Sequence, residues 1–142
     1  MIYFGIDYGT KRVGLACSDE TGRFADPVCC LNREPHHQFW EKLVGCINEM
    51  NSTEVVVGLP VRTTGEKKSE ADRVLKFVEQ LKQKVKANVT TWDERFTTKE
   101  AERLLQEGNV SIRKRKEKRD MLAAVVMLQS YLDFKRLGNS RV

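Results

Sequence analysis

The spacing of apolar positions changes along the chain. Ile2 to Asp7 and Arg12 to Ser18 are short β-favouring runs joined by Tyr8-Gly9-Thr10-Lys11, which predicts two antiparallel strands with a tight connection. Phe24 to Leu31 continues the meander as a third strand, placed at an edge because Pro27 removes a ladder donor. The period then becomes helical: Phe39, Leu43, Cys46, Ile47 and Met50 predict a helix from about His36 to Met50, with His36-His37 at its start. Thr53 to Leu59 is almost continuously apolar in its centre, as in a strand buried on both faces, and Pro60 ends it. After a loop containing Thr63-Thr64-Gly65, a long helix carries Ala71, Val74, Leu75, Val78, Leu81 and Val85 on one stripe. Asn88 to Trp92 is the fifth strand. Thr97-Thr98-Lys99-Glu100 has capping-box spacing and opens a short helix ended by Gly108, and Asp120 to Phe134 is the most apolar helix of the chain.

The predicted order is β-β-β-α-β-α-β-α-α, a mixed five-stranded sheet with helices on both faces. With right-handed crossovers, strands one, four and five run parallel and their carboxyl ends share one edge. Asp7 and the pair Asp93-Glu94 then meet on one rim. Strand alternation sends Asp93 and Glu94 to opposite faces, so one of them reaches Asp7, and the residues alone leave the choice open.

Length makes this a single-domain chain: 142 residues, 40% apolar, carry one core, so residues 1–142 are expected to form one unit. No apolar run nears the roughly 20 residues that span a bilayer, which gives no membrane association and a cytoplasmic expectation. Cys17, Cys29, Cys30 and Cys46 include no C-x-x-C pair and read as small core residues. Charge divides unevenly. The last 33 residues hold nine Lys and Arg against three Asp and Glu, and six of the seven residues from Arg113 to Arg119 are basic. Alone, such a run is often a solvated loop. Here it runs directly into Asp120, an acid at the head of the last apolar helix. A carboxylate there is explained by capping, but three acids in this arrangement also have a common chemistry. In-line phosphodiester cleavage needs both the attacking and the leaving oxygen stabilised, which two divalent ions held by a few carboxylates achieve. A neighbouring basic segment offsets repulsion between the acids and a polyanion.

The blocks "GIDYGTKRVGLACSD", "VVVGLP", "TWDERFTT" and "KRDMLAAVVMLQSYLD" resemble, in order and spacing, those of the YqgF/RuvX family. The resemblance spans most of the chain. It implies a ribonuclease H-like fold and a metal-dependent nuclease of the bacterial cytoplasm, using Mg2+ or Mn2+, two ions, at the 5′ end of pre-16S rRNA. Carried over by position, the family's acids fall on Asp7, Glu94 and Asp120, which favours Glu94 over Asp93. In the related resolvases an acid ends the fourth strand, where this chain reads Gly58-Leu59-Pro60.

Other residues take supporting parts. Gly9 permits the close turn, and Thr10 and Lys11 are candidates for a substrate phosphate, or are simply a hairpin turn. Arg95, Lys114, Lys116, Lys118 and Arg119 are candidates for nucleic-acid backbone contacts. Trp92 could stack on an unpaired base, though packing under a helix is the commoner role for such a residue. Three further readings compete. Asp-x-Gly-Thr also resembles the phosphate loop of actin-like and sugar-kinase ATPases, which close two domains over a nucleotide, and this chain has no room for the second. A non-catalytic RNA-binding module would keep the basic face without cleavage. A resolvase of branched DNA needs two active sites related by a two-fold axis. No dimer seam stands out, so a monomer or weak homodimer acting on RNA is the expectation.

Overall fold

The computed structural model describes residues 1–60, 66–94 and 116–140, with side chains at 1–60, 69–94 and 121–138. The elements are β1 (Tyr3–Tyr8), β2 (Arg12–Ser18), β3 (Ala25–Asn32), α1 (His36–Glu49), β4 (Glu54–Leu59), α2 (Glu66–Lys84), β5 (Asn88–Asp93) and α3 (Lys116–Ser140). The short helix expected over residues 97–108 lies outside the described residues, as do Arg95 and Lys114. No helix among the described residues is long and apolar enough to cross a membrane.

The strands form one sheet in the order β3-β2-β1-β4-β5. β1 pairs antiparallel with β2 and parallel with β4, β2 pairs antiparallel with β3, and β4 pairs parallel with β5. β1, β4 and β5 therefore end on one rim, and β3 is an edge strand, as Pro27 requires.

Side-chain alternation divides the sheet between two cores. Phe4, Ile6, Val55 and Val57 face α1 and α2, where Phe39, Leu43, Phe77 and Leu81 meet them. Val56 and Trp92 face Ala124, Met127 and Leu128 of α3. Val55, Val56 and Val57 are all completely buried, which explains the unbroken apolar run of β4. Each such valine contributes about 1.5–3 kcal/mol relative to exposure.

α3 lies antiparallel to β1. The Tyr131 ring packs edge-on against Tyr3 at 5.9 Å, while Leu128, one turn earlier, covers Gly5. Its amino-terminal turns thus point toward the carboxyl ends of β1 and β4.

Several expectations change in detail. β1 continues one residue beyond Asp7, and β3 begins at Ala25 because Phe24 is exposed. On α2 it is Phe77 that fills the core, stacked on Tyr8 at 4.1 Å, whereas Leu75 is half-buried. The four cysteines are half-buried rather than core residues. Burial, then the neighbouring Cys46 thiol, pushes the Cys29 thiol up to about 11.

Candidate functional site

The turn after β1 is held from two sides. The Gly9 N–H donates to the Arg12 carbonyl at 3.1 Å, and a Cβ on Gly9 would stand 2.5 Å from that oxygen, so no other residue fits this turn unchanged. Arg33, just past β3, reaches across. Its Nη1 donates to the carbonyls of Thr10 at 2.8 Å and Gly9 at 3.3 Å, and its guanidinium lies 4.4 Å from the centre of the Tyr8 ring. The antiparallel pairing of β2 and β3 makes this possible by placing the end of β3 beside the start of β2.

Arg33→Ala therefore loses charge-assisted hydrogen bonds and a cation–ring contact together, worth about 2 kcal/mol. A thermal melt should show a Tm lower by roughly 5–8 °C. Arg33→Lys should recover little of it, since one ammonium does not reproduce the planar fork over Tyr8. A melt of Arg33→Ala matching the wild type would show that the turn holds itself.

Beside the turn opens a cleft of about 200 Å³, lined by Asp7, Gly9, Thr10, Arg33 and Pro60, by Glu70 and Arg73 of α2, and by Glu94. Asp7 and Glu94, 87 positions apart in sequence, share it. Asp7 has the parity of Gly5, which faces α3, and not that of Ile6 and Tyr8, which face α1 and α2. Its partner across the β1–β2 ladder is Gly14, and Gly58 follows directly on the last β1–β4 pair, Ile6 with Val57. Glycines thus flank Asp7 on both neighbouring strands, and no side chain crowds its carboxylate along that row.

Glu94 uses that opening. Its Oε1 lies 3.5 Å from where a Cβ on Gly58 would stand, with Met127 Cγ at 3.1 Å from the same point. The space a fourth-strand side chain would enter is shared by Glu94 and Met127. Parity also separates the two acids after Trp92. Trp92 is buried against α3, its Nε1 donating to Ser130 Oγ at 2.7 Å, so the alternate residue, Glu94, continues toward that face. Asp93, half-buried, has the opposite parity and is not among the residues lining the cleft. Trp92 itself is a packing residue.

Asp120 is the fifth residue of α3, beyond the first turn where the helix dipole acts on a carboxylate. It stands four, seven and eight positions before Ala124, Met127 and Leu128, the stripe that faces the sheet. Eight residues of rise, about 12 Å, carry the backbone from Leu128 over Gly5 toward the rim of Asp7. Lys116, Lys118 and Arg119 belong to the same amino-terminal turns. Among the described residues, no group of three His, Cys, Asp or Glu is placed to hold a metal ion; two acids share the cleft, and the side chain at 120 lies outside the described ones.

Arg33, Glu70 and Arg73 were not legible as site residues. Their one sequence signal is topological: the end of β3 and the start of α2 both abut the rim where β1 ends.

The family model described as "RuvX: Holliday junction resolvase" matches residues 1–134. A protein of Clostridioides difficile named "Putative pre-16S rRNA nuclease" is 42% identical over 131 residues, covering 92% of this chain and 93% of the relative. A protein of Thermoanaerobacter pseudethanolicus with the same name is 39% identical over 134 residues, covering 94% and 96%. Among solved structures, Thermus thermophilus RuvC in complex with a Holliday junction substrate superposes with a TM-score of 0.67 at 16% identity over 97% of this chain and 96% of that one. The fowlpox virus Holliday junction resolvase gives 0.57 at 14% identity over 94% and 99%. At these identities the superpositions establish the ribonuclease H-like fold. The match of sequence along nearly the whole chain establishes more: this protein belongs to the RuvX (YqgF) family.

Proposed function

We propose that this chain is a metal-dependent nuclease that hydrolyses phosphodiester bonds of RNA and acts at the 5′ end of the pre-16S rRNA. The observation that carries the reading is the convergence of Asp7 and Glu94 on one cleft at the carboxyl ends of β1 and β5, with Arg33 and Arg73 in the same walls. The names of the full-length relatives support the substrate.

The donor set fits a hard divalent cation. Asp7 and Glu94 offer carboxylate oxygens, Gly14 and Gly58 leave room around Asp7, and the cleft lining includes no histidine or cysteine. Asp7, Glu94 and Asp120 would hold the metal, Mg2+ or Mn2+ and two ions. When bound, it would stabilise the attacking and leaving oxygens of an in-line displacement. The chain's own groups do the rest. Arg73, and any guanidinium N–H of Arg33 not committed to the turn, face a substrate phosphate with planar donors. Thr10 and Lys11, on the turn that Arg33 holds, are placed to bind an adjacent phosphate oxygen. Lys116, Lys118, Arg119 and, from outside the described residues, Arg95 and Lys114 supply backbone affinity without base specificity.

Purified protein with Mg2+ or Mn2+ is expected to trim RNA carrying the pre-16S 5′ end, and to leave a synthetic four-way DNA junction uncut. Paired symmetrical nicking of the junction would move the substrate to branched DNA. Absence of cleavage of either, with RNA still bound, would favour a non-catalytic RNA-binding module.

A further inference from the structure

A second cavity, of about 290 Å³, opens at the opposite rim, between the β2–β3 hairpin and the last turns of α3. Arg23 comes from the hairpin, and Lys135 and Arg136 come from the helix; all three are exposed. Tyr3, Leu132 and Thr21 complete the lining. Residues more than a hundred positions apart are thus brought to one concave surface.

The pocket is held in shape. The Gln129 side chain bridges its walls, accepting from the Ala25 N–H at 2.9 Å and donating to the Arg23 carbonyl at 2.8 Å. The nearby carboxylates are largely committed. Asp19 accepts from Thr21 Oγ1 at 2.7 Å and from the Arg23 N–H at 3.1 Å within its own turn, and Asp133 accepts from Gln129 at 3.0 Å and from Arg136 at 3.4 Å. Lys135 Nζ sits over the rings of Tyr3 and Tyr131 at 5.6 and 5.8 Å, and their hydroxyls favour its charged form. Cationic donors beside an exposed aromatic edge suit a phosphate joined to a base or sugar. Size selects further. The volume stands at the small end of the roughly 300–1,000 Å³ typical of ligand pockets, room for one nucleotide unit and too little for a duplex. Tyr3 is four residues along β1 from Asp7, so the pocket lies about 13 Å or more from the cleft.

We propose that this pocket binds one nucleotide unit of single-stranded RNA, its phosphate on Arg23 and Arg136 and its base or ribose against Tyr3, as a second anchor for a strand held in the Asp7–Glu94 cleft. The inference deepens the proposed function and rests on it.

The test compares wild type with the double variant Arg23→Glu/Arg136→Glu, and with Lys135→Gln, which leaves the Arg136–Asp133 pair intact. Circular dichroism melts verify folding. Fluorescence anisotropy in EDTA measures binding of RNA of about 4 and about 16 nucleotides, the two ends of common single-strand site sizes. Wild type should bind the longer RNA at least about tenfold more tightly, and the double variant should lose that gain. Its slope of log K on log salt should be shallower by about 1.4, for two phosphates at roughly 0.7 each. Lys135→Gln should lose part of the gain, and the short RNA should be bound and cut as in wild type. A double variant that keeps the full length-dependent gain overturns the proposal, and so does a guanosine monophosphate titration showing a variant-sensitive nucleotide site with no effect on long RNA. If cleavage is absent from every protein while the variant still loses its long-RNA affinity, the nuclease reading fails and the RNA anchor stands.

Discussion

Asp7→Asn is expected to lower RNA cleavage at least about 10³-fold, with the fold retained. The substitution keeps shape and removes one charge, and a thousandfold loss corresponds to about 4 kcal/mol of barrier. A second readout separates this from structural damage. If Asp7 and Glu94 hold a divalent ion, Mg2+ or Mn2+ at about 100 times its Kd stabilises the wild type by about 2.7 kcal/mol. The Asn variant should lose most of that increment while melting without metal at the wild-type temperature or slightly above, because a negative charge has left the neighbourhood of Glu94. Asp120→Asn should fail in the same way. The double variant should be hardly worse than either single one, as for groups that act as a unit. Cleavage persisting in Asp7→Asn, or equal metal stabilisation of both proteins, would remove the acid cluster from the mechanism.

Gly5→Ala is expected to destabilise the protein by about 1–3 kcal/mol, the range for one methylene forced into a packed core. A Cβ at position 5 would stand 2.9 Å from the Cβ of Leu128, a separation that real Cβ atoms essentially never show. That atom is fixed to the helix backbone, so no shortening of residue 128 short of glycine removes the clash. Leu128→Ala should therefore not rescue the variant, and α3 must lift from the centre of the sheet. A Tm lower by about 3–12 °C should be accompanied by weaker cleavage, because the same helix carries Asp120 to the rim. An unchanged melt would mean that α3 does not press on β1 as described.

Much of this architecture was legible beforehand, for reasons that are local. Alternation in Arg12–Ser18, the valine run of β4 and the helical spacing of Phe39, Leu43 and Ile47 report burial on one face or both, and burial is what the period of a sequence records. The carboxyl rim followed from the handedness of crossovers, which brought Asp7 and the acids after Trp92 to one edge before any coordinate was known. Phe24 and Leu75 mark where this fails, since an apolar side chain near the end of an element is not obliged to be inside.

The sequence by itself determined the strand and helix pattern, the shared rim and the family blocks that carry the acids, because each depends on spacing along one chain. Tertiary structure decided the rest. The phase of β5, and with it the placement of Glu94 rather than Asp93 in the cleft, is set by Trp92 seating under α3. Arg33 joined the turn because β3 happens to end beside it, and the second basic pocket exists because Gln129 joins a hairpin to a helix from the far end of the chain. Such contacts depend on which faces pack together, a relation between distant segments that no local period records.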